Sequence, residues 1–534
     1  MKYNNSQKSI LLPLIVAASL AGGVLIGMYL PGKNTGNANT SIRARYDKIS
    51  NIVNLIERKY VDSVNRNELE EAAIPAMLSK LDPHSTYIPA RDLKRANEPL
   101  QGNFDGIGIS FNMLTDTILV ISTVPGGPSE KVGLQPGDKI IFVDDSLVAG
   151  RRITDEKAMS MLKGPRGTIV KLKILRKGHK ELLPFEITRD KIPMYSVDVS
   201  YMINNNTGFI KINNFALTTY DEFMNGLHEL KDRGMTRLIL DLRNNSGGVM
   251  DAAIRIANEF LKDGQVIVYT QGRAQPRDEA IANGNGEFIE GDLVILIDEW
   301  SASASEILAG AIQDNDRGTI IGRRSFGKGL VQEPVMFSDG SGMRLTVARY
   351  YTPTGRSIQN PYDDGTEQYY EHFRERITSW ETAADDSILL SKSPKFTTPG
   401  GRTVYGGGGI MPDEFIPVDT TGISEYFRRA RASLIYRYAL DYTEKNRETL
   451  QKFTEWGELE KWLDSQALLD QFVRFAARNG LPPDPAGLKI SGNIIHTQLK
   501  AYIVRNILDN KGFYSIWQDL DTTLKYAIDY LDRK

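Results

Sequence analysis

The chain of 534 residues contains no cysteine and only five histidines. The missing thiols exclude disulfides, cysteine-ligated zinc, iron–sulfur clusters and a cysteine nucleophile together. His84, His179, His228, His372 and His496 are too scattered for a metal motif of the HExxH kind. Neither sign of charge is in excess: 65 Lys and Arg against 67 Asp and Glu leave a formal net charge of −2. A nucleic-acid-binding chain ordinarily carries a basic surplus, so nucleic acid is not expected as a partner. What is present is an ordinary globular balance, 41% hydrophobic and 25% charged residues, which excludes wholesale disorder. A chain of this length is expected to form three or four domains at about 100–200 residues each.

Residues 10–30 carry no charge. As a helix they would be about 32 Å long, enough for a hydrocarbon core of about 30 Å. Lys2 and Lys8 precede them and favour a cytoplasmic position for residues 1–9. A transmembrane anchor is therefore expected at 10–30. The alternative is a cleaved signal peptide, with Ser19-Leu20-Ala21 supplying small residues at a cleavage point. Both readings imply export of the remainder. PGKNTGNANTS, residues 31–41, reads as a linker.

Residues 42–100 read as an N-terminal helical region. Ile49, Ile52, Val53 and Ile56 recur there at i, i+3, i+4, i+7, and a second helix is expected at about 68–81. Residues 101–190 switch to short alternating strands around one helix at about 155–162. Residues 191–421 alternate buried-type strands (TGFIKI, RLILDLR, QVIVYT, DLVILID, GTIIG) with helices at about 219–233, 249–262 and 303–315. That alternation argues for an α/β layer fold with largely parallel pairing. Within it, 362–400 reads as irregular and polar. From 422 to 534 the chain reads as helical.

GGPSEKVGLQPGDKIIFVDD, residues 126–145, resembles the PDZ domains of exported proteases over about 90 residues. Gly106, Ile107, Gly108 and Ile109 then occupy the place of the carboxylate-binding loop. Glycines there let backbone N–H groups converge on an anion, and an adjacent edge strand accepts an extended peptide.

Three motifs compete for the chemistry. Asn245-Ser246-Gly247-Gly248 is similar to the nucleophile loop of trypsin-like proteases, but no histidine has the context that such an enzyme's base requires. Gly322 to Lys328 fits GxxxxGK, yet Gly329 stands where a phosphate-binding loop needs Ser or Thr, and a strand pattern follows instead of a helix. Ser301-Ala302-Ser303-Ala304-Ser305-Glu306 follows a strand and opens a helix, and Ser303 with Glu306 also satisfies a plain capping box. Its company sets it apart: Phe326-Gly327-Lys328-Gly329 places Lys328 25 residues after Ser303, with Gln332 four residues further on. TVARYYTPTGRSIQ lies beyond, LDLRNNSGG upstream and LDPHSTYIP near the start.

This ordered set resembles the carboxyl-terminal processing peptidases, or tail-specific proteases, over about residues 42–420. The resemblance implies a multidomain α+β protein with a crotonase- or ClpP-like α/β core, an inserted PDZ domain and helical N- and C-terminal parts. It implies Ser303 as nucleophile, Lys328 as general base and Gln332 as the group that orients the lysine. It also implies an oxyanion hole from the Ala304 N–H with that of Gly247 or Gly248, and neither cofactor nor metal. A serine hydroxyl needs a base, and a lysine serves near neutral pH only when burial lowers its pKa from about 10.4. The expected activity is that of an exported serine endopeptidase that binds the C-terminal tails of protein substrates through its PDZ domain. With the anchor, the expected location is the periplasmic side of the inner membrane. An adaptor protein and a second copy of the chain are further candidate partners. The competing reading is a PDZ-bearing scaffold or chaperone with an inactive peptidase fold.

Overall fold

The computed structural model describes residues 48–113, 116–378 and 393–534. The chain divides into two compact units, Met1–Met77 and Leu78–Lys534. In the first lie the helix Lys48–Lys59 and all but the last residue of the helix Arg66–Leu78, and Arg66 joins them by donating to Asn54 Oδ1 at 2.6 Å. The apolar stripe marks the first helix correctly but not its burial. Val53 is buried, whereas Ile49 and Ile52 are exposed.

The remaining elements belong to the second unit. Six strands form one antiparallel sheet: Ile109–Asn112, Ile118–Thr123, Lys139–Val143, Ile169–Leu175 and Leu183–Thr188 in that order, with the short strand Ser146–Leu147 paired to Lys139–Val143. Val170, Leu172 and Ile174 alternate inward along one strand and meet Ala158 and Leu162 of the helix Asp155–Leu162. Period-two burial of this kind is what a half-buried strand requires. Ile109–Asn112 is an edge strand, paired on one side only.

The central sheet has six strands in the order Val197–Met202, Thr207–Ile212, Arg237–Asp241, Asp292–Ile297, Thr319–Gly322 and Glu414–Phe415. The first pair is antiparallel and the others are parallel. Side chains alternate between its two faces. Ile210, Leu238, Leu240, Ile295 and Ile320 pack with the helices Thr219–Asp232, Met250–Asn258 and Ala304–Asp314. Phe209, Ile239, Val294, Leu296 and Ile321 pack instead with Leu524, Ala527 and Leu531 of the helix Thr522–Asp532. The far C-terminal helix is therefore the second layer of the α/β sandwich, which buries a parallel sheet on both faces. A further antiparallel sheet holds Thr86–Ile88, Leu330–Met336, Gly342–Tyr351, Val266–Gln271 and Asp278–Ile281.

Two expectations change. Residues 362–400 are not wholly irregular: Thr366–Thr378 is a helix whose Tyr369 and Phe373 pack on Phe326. A polar composition hides such a helix, because its few aromatic residues pack on one loop and not on a core. The transmembrane anchor is also corrected, and the periplasmic placement with it. Residues 10–30 lie outside the described residues, and among the described residues no helix is long and apolar enough to cross a membrane. The longest, Pro485–Ile507, has 23 residues but carries Lys489, His496, Lys500 and Arg505 and is packed among other helices.

Candidate active site

Ser303 stands between the strand Asp292–Ile297 and the helix Ala304–Asp314, with φ 54° and ψ −111°. Backbone strain of this kind costs on the order of 1–3 kcal/mol and persists only where the surroundings over-determine it. Here the Ser303 N–H donates to Glu306 Oε2 at 2.8 Å, and the Ser303 carbonyl accepts the Glu306 N–H at 2.8 Å. The Tyr350 hydroxyl lies 3.2 Å from the same carbonyl and 2.5 Å from that of Lys328.

Glu306 is the junction of the site. It is 0% exposed, and its carboxylate accepts from Ser325 Oγ (2.5 Å), Gly327 N (2.7 Å), Lys328 N (2.9 Å) and Ser303 N. Burial raises its pKa, and those donors oppose the rise. From the sequence, Glu306 reads only as a cap. The signal was the S-x-x-E spacing, which fits either role.

Lys328 is half-buried between Gly327 and Gly329. Gly327 adopts φ 90°, and a Cβ there would lie 2.4 Å from Asn360 Nδ2. Burial pushes the Lys328 ammonium below its ordinary range, and the Arg344 guanidinium pushes the same way, against Asp82 and Glu306. Lys328 Nζ donates to Gln332 Oε1 at 3.1 Å, and Gln332 Nε2 donates to the His84 carbonyl. Lys328 precedes the strand Leu330–Met336, and the register shifts between Val331 and Gln332.

The LDPHS segment supports Gln332 from behind. Buried Asp82 accepts the N–H groups of His84 and Ser85, both at 2.8 Å, and Ser85 Oγ at 2.6 Å. Ser85 Oγ accepts the Thr346 N–H at 3.1 Å. The His84 ring packs against Phe326 and Tyr369, where burial, helped by Lys328, lowers its pKa to about 4.

The loop after the strand Arg237–Asp241 closes on Ser303. A Cβ on Gly247 would lie 2.8 Å from Ser303 Cβ and 3.0 Å from Ala304 N, so this glycine lets two backbones meet. Asn245 fastens the loop. Its carbonyl accepts from Ala302 N (3.0 Å) and Ser305 Oγ (2.9 Å), and its amide donates to the Ile212 carbonyl at 2.9 Å. Asn245 Oδ1 accepts the Gly247 N–H at 2.9 Å, so that N–H is already paired within the loop. Among the described residues, neither the Gly248 N–H nor the Ala304 N–H has an acceptor. No hydrogen bond there joins the Ser303 hydroxyl to Lys328 Nζ, and catalytic contacts commonly tighten only with substrate bound.

Gly106, Ile107, Gly108 and Ile109 lie apart from this cluster. With Phe104, Phe111, Met159, Leu162 and Lys163, the last three of them line an apolar cavity of about 80 Å³ beside the edge strand. Gly106 instead ends the strand Asn103–Gly106, paired with Asp190–Pro193. No group of three or more His, Asp or Glu side chains among the described residues could hold a metal ion.

Residues 206–368 match peptidase family S41, and residues 98–175 match the PDZ domain. Residues 30–91 match the activating protease CtpB N-terminal domain, and 426–509 match a family of unknown function, DUF8443. The chain is 35% identical over 330 residues to the carboxy-terminal-processing protease of Bartonella bacilliformis, covering 61% of this chain and 75% of that one. It is 32% identical over 350 residues to the carboxy-terminal processing protease CtpA of Bacillus subtilis, covering 65% and 73%. Among solved structures, a photosystem II D1 C-terminal processing protease is similar at 29% identity with a TM-score of 0.34, covering 58% of this chain and 89% of that one.

Proposed function

The chain belongs to the carboxy-terminal processing proteases of peptidase family S41, and on that premise we propose that Ser303 is the nucleophile and Lys328 its general base. One observation carries the assignment: a single buried carboxylate, Glu306, accepts the backbone N–H groups of both residues, at 2.8 and 2.9 Å. Neutral Lys328 takes the Ser303 proton as Oγ attacks the scissile carbonyl. The resulting ammonium returns the proton to the leaving amine. The Ala304 and Gly248 N–H groups receive the oxyanion, and the N-terminal end of the Ala304–Asp314 helix adds its dipole. Gln332, held by the His84 carbonyl, keeps the lysine aimed.

The core is read as a crotonase- or ClpP-like sandwich, in keeping with four parallel strand pairs and Ser303 at the carboxyl end of a central strand. The PDZ domain takes the substrate's C-terminal tail. The tail adds to the edge strand Ile109–Asn112, and its apolar side chain enters the cavity between Ile107, Ile109 and Leu162. Cleavage of an unfolded reporter with an apolar tail tests this reading. Ser303→Ala and Lys328→Ala are each expected to lose at least about a thousandfold in rate. Full activity in either variant refutes the assignment, and equal cleavage of a reporter with a charged tail refutes the role of the PDZ domain.

A further inference from the structure

Arg243 stands at the root of the loop that closes on Ser303, immediately before Asn244 (φ 61°) and Asn245. Its guanidinium binds two carboxylates. Nε and Nη2 donate to Asp241 at 2.9 and 2.8 Å, while Nη1 and Nη2 donate to Asp521 at 2.9 and 2.6 Å. Lys211 Nζ completes the cluster with Asp241 Oδ2 at 3.3 Å and the Arg243 carbonyl at 3.1 Å. Two cations and two anions balance there. Without Asp521 one positive charge would stay uncompensated in a largely buried place, and the fork would lose one of its two fixed planes.

Asp521 comes from far away in the chain. It lies 278 residues after Arg243, beyond the 206–368 peptidase match and beyond residues 426–509. It also caps the helix Thr522–Asp532, accepting the Leu524 N–H at 2.9 Å. One carboxylate thus ties the start of the sandwich's second-layer helix to the strand end that launches the oxyanion loop. We propose that Asp521 is a positioning residue of the peptidase site, acting through Arg243 to hold the Asn244–Gly248 loop against Ser303 and Ala304. The C-terminal helical part is then a component of the active centre, not only a cover for the sheet. This rests on the assignment of Ser303 made above.

The test separates capping from positioning. Asparagine caps a helix as well as aspartate does but cannot grip a guanidinium with two charged oxygens. Asp521→Asn is expected to lower kcat about tenfold with KM nearly unchanged; the melting temperature is expected to fall, because the buried Arg243 charge loses a counter-ion, so kcat is read well below the transition. Arg243→Lys is expected to lower kcat similarly, and the double variant to fall no further than either single one, the mark of one shared pathway. Tyr526→Phe removes a different contact of the same helix, to Glu414 Oε2 at 2.8 Å, and is expected to keep wild-type kcat. Wild-type kcat in Asp521→Asn, a loss matched by Tyr526→Phe, or additive losses in the double variant each overturn the inference. Ser303→Ala, assayed alongside, identifies the other failure: if it stays active, the underlying assignment falls.

Discussion

At Lys328 the question is how a lysine becomes a base near neutral pH. Burial comes first, and Arg344 adds its positive field in the same direction. Removing that field by Arg344→Gln lets the Lys328 pKa rise, so the neutral form fills at higher pH. The acid limb of the pH–rate profile is therefore expected to move upward, lowering the rate at pH 7 while leaving the alkaline plateau in place. A fall of the whole profile without a shift would mean that Arg344 acts only by bonding the Ala96 carbonyl and Asn97. The sequence names the lysine by its motif but not the groups that tune it, because Arg344 and Asp82 reach it from other strands and loops. Glu306 was legible only as a cap. Its second role needs the FGKG loop folded over it, a contact across about twenty residues of sequence that no local pattern encodes.

Among the elements, the loop from Arg243 to Gly248 is held with the least tolerance. Gly247 has φ 95°, and a Cβ on it would press on the Ala302 carbonyl at 2.7 Å and on Ser303 Cβ. Gly247→Ala is expected to cut labelling of Ser303 by a serine-reactive probe more than about tenfold, since a displaced loop misplaces the oxyanion site. Gly234→Ala is the matched control. It also has positive φ, 88°, but open space around it, so about 1 kcal/mol of stability is expected to go without loss of labelling. Equal labelling in both variants would separate the glycine from the chemistry. Periodicity located the strands and helices of the central sheet closely, since each buries a whole face. It failed for Thr366–Thr378, where two aromatic side chains dock on Phe326.

Over the whole molecule, the alternation of Phe209 with Ile210 and of Ile239 with Leu238 states that the central sheet has two buried faces. Which element covers the second face is not written in either strand, because the answer lies some three hundred residues further along. Leu531 is 2% exposed and Leu524 is 3% exposed against that face. Leu531→Ala is expected to destabilise the fold by about 2–5 kcal/mol, read as a lower denaturant midpoint at unchanged slope. A shift below 1 kcal/mol would show that the sheet does not depend on this helix. The same arrangement governs the order of events on the ribosome. The central strands are complete by Gly322, apart from the short edge strand Glu414–Phe415, while their second cover begins only at Thr522. At about 5–20 residues per second, that interval lasts roughly 10–40 s. Throughout it the nascent chain already carries Ser303 and Lys328 but not Asp521, so the nucleophile is synthesised well before the brace that steadies its loop.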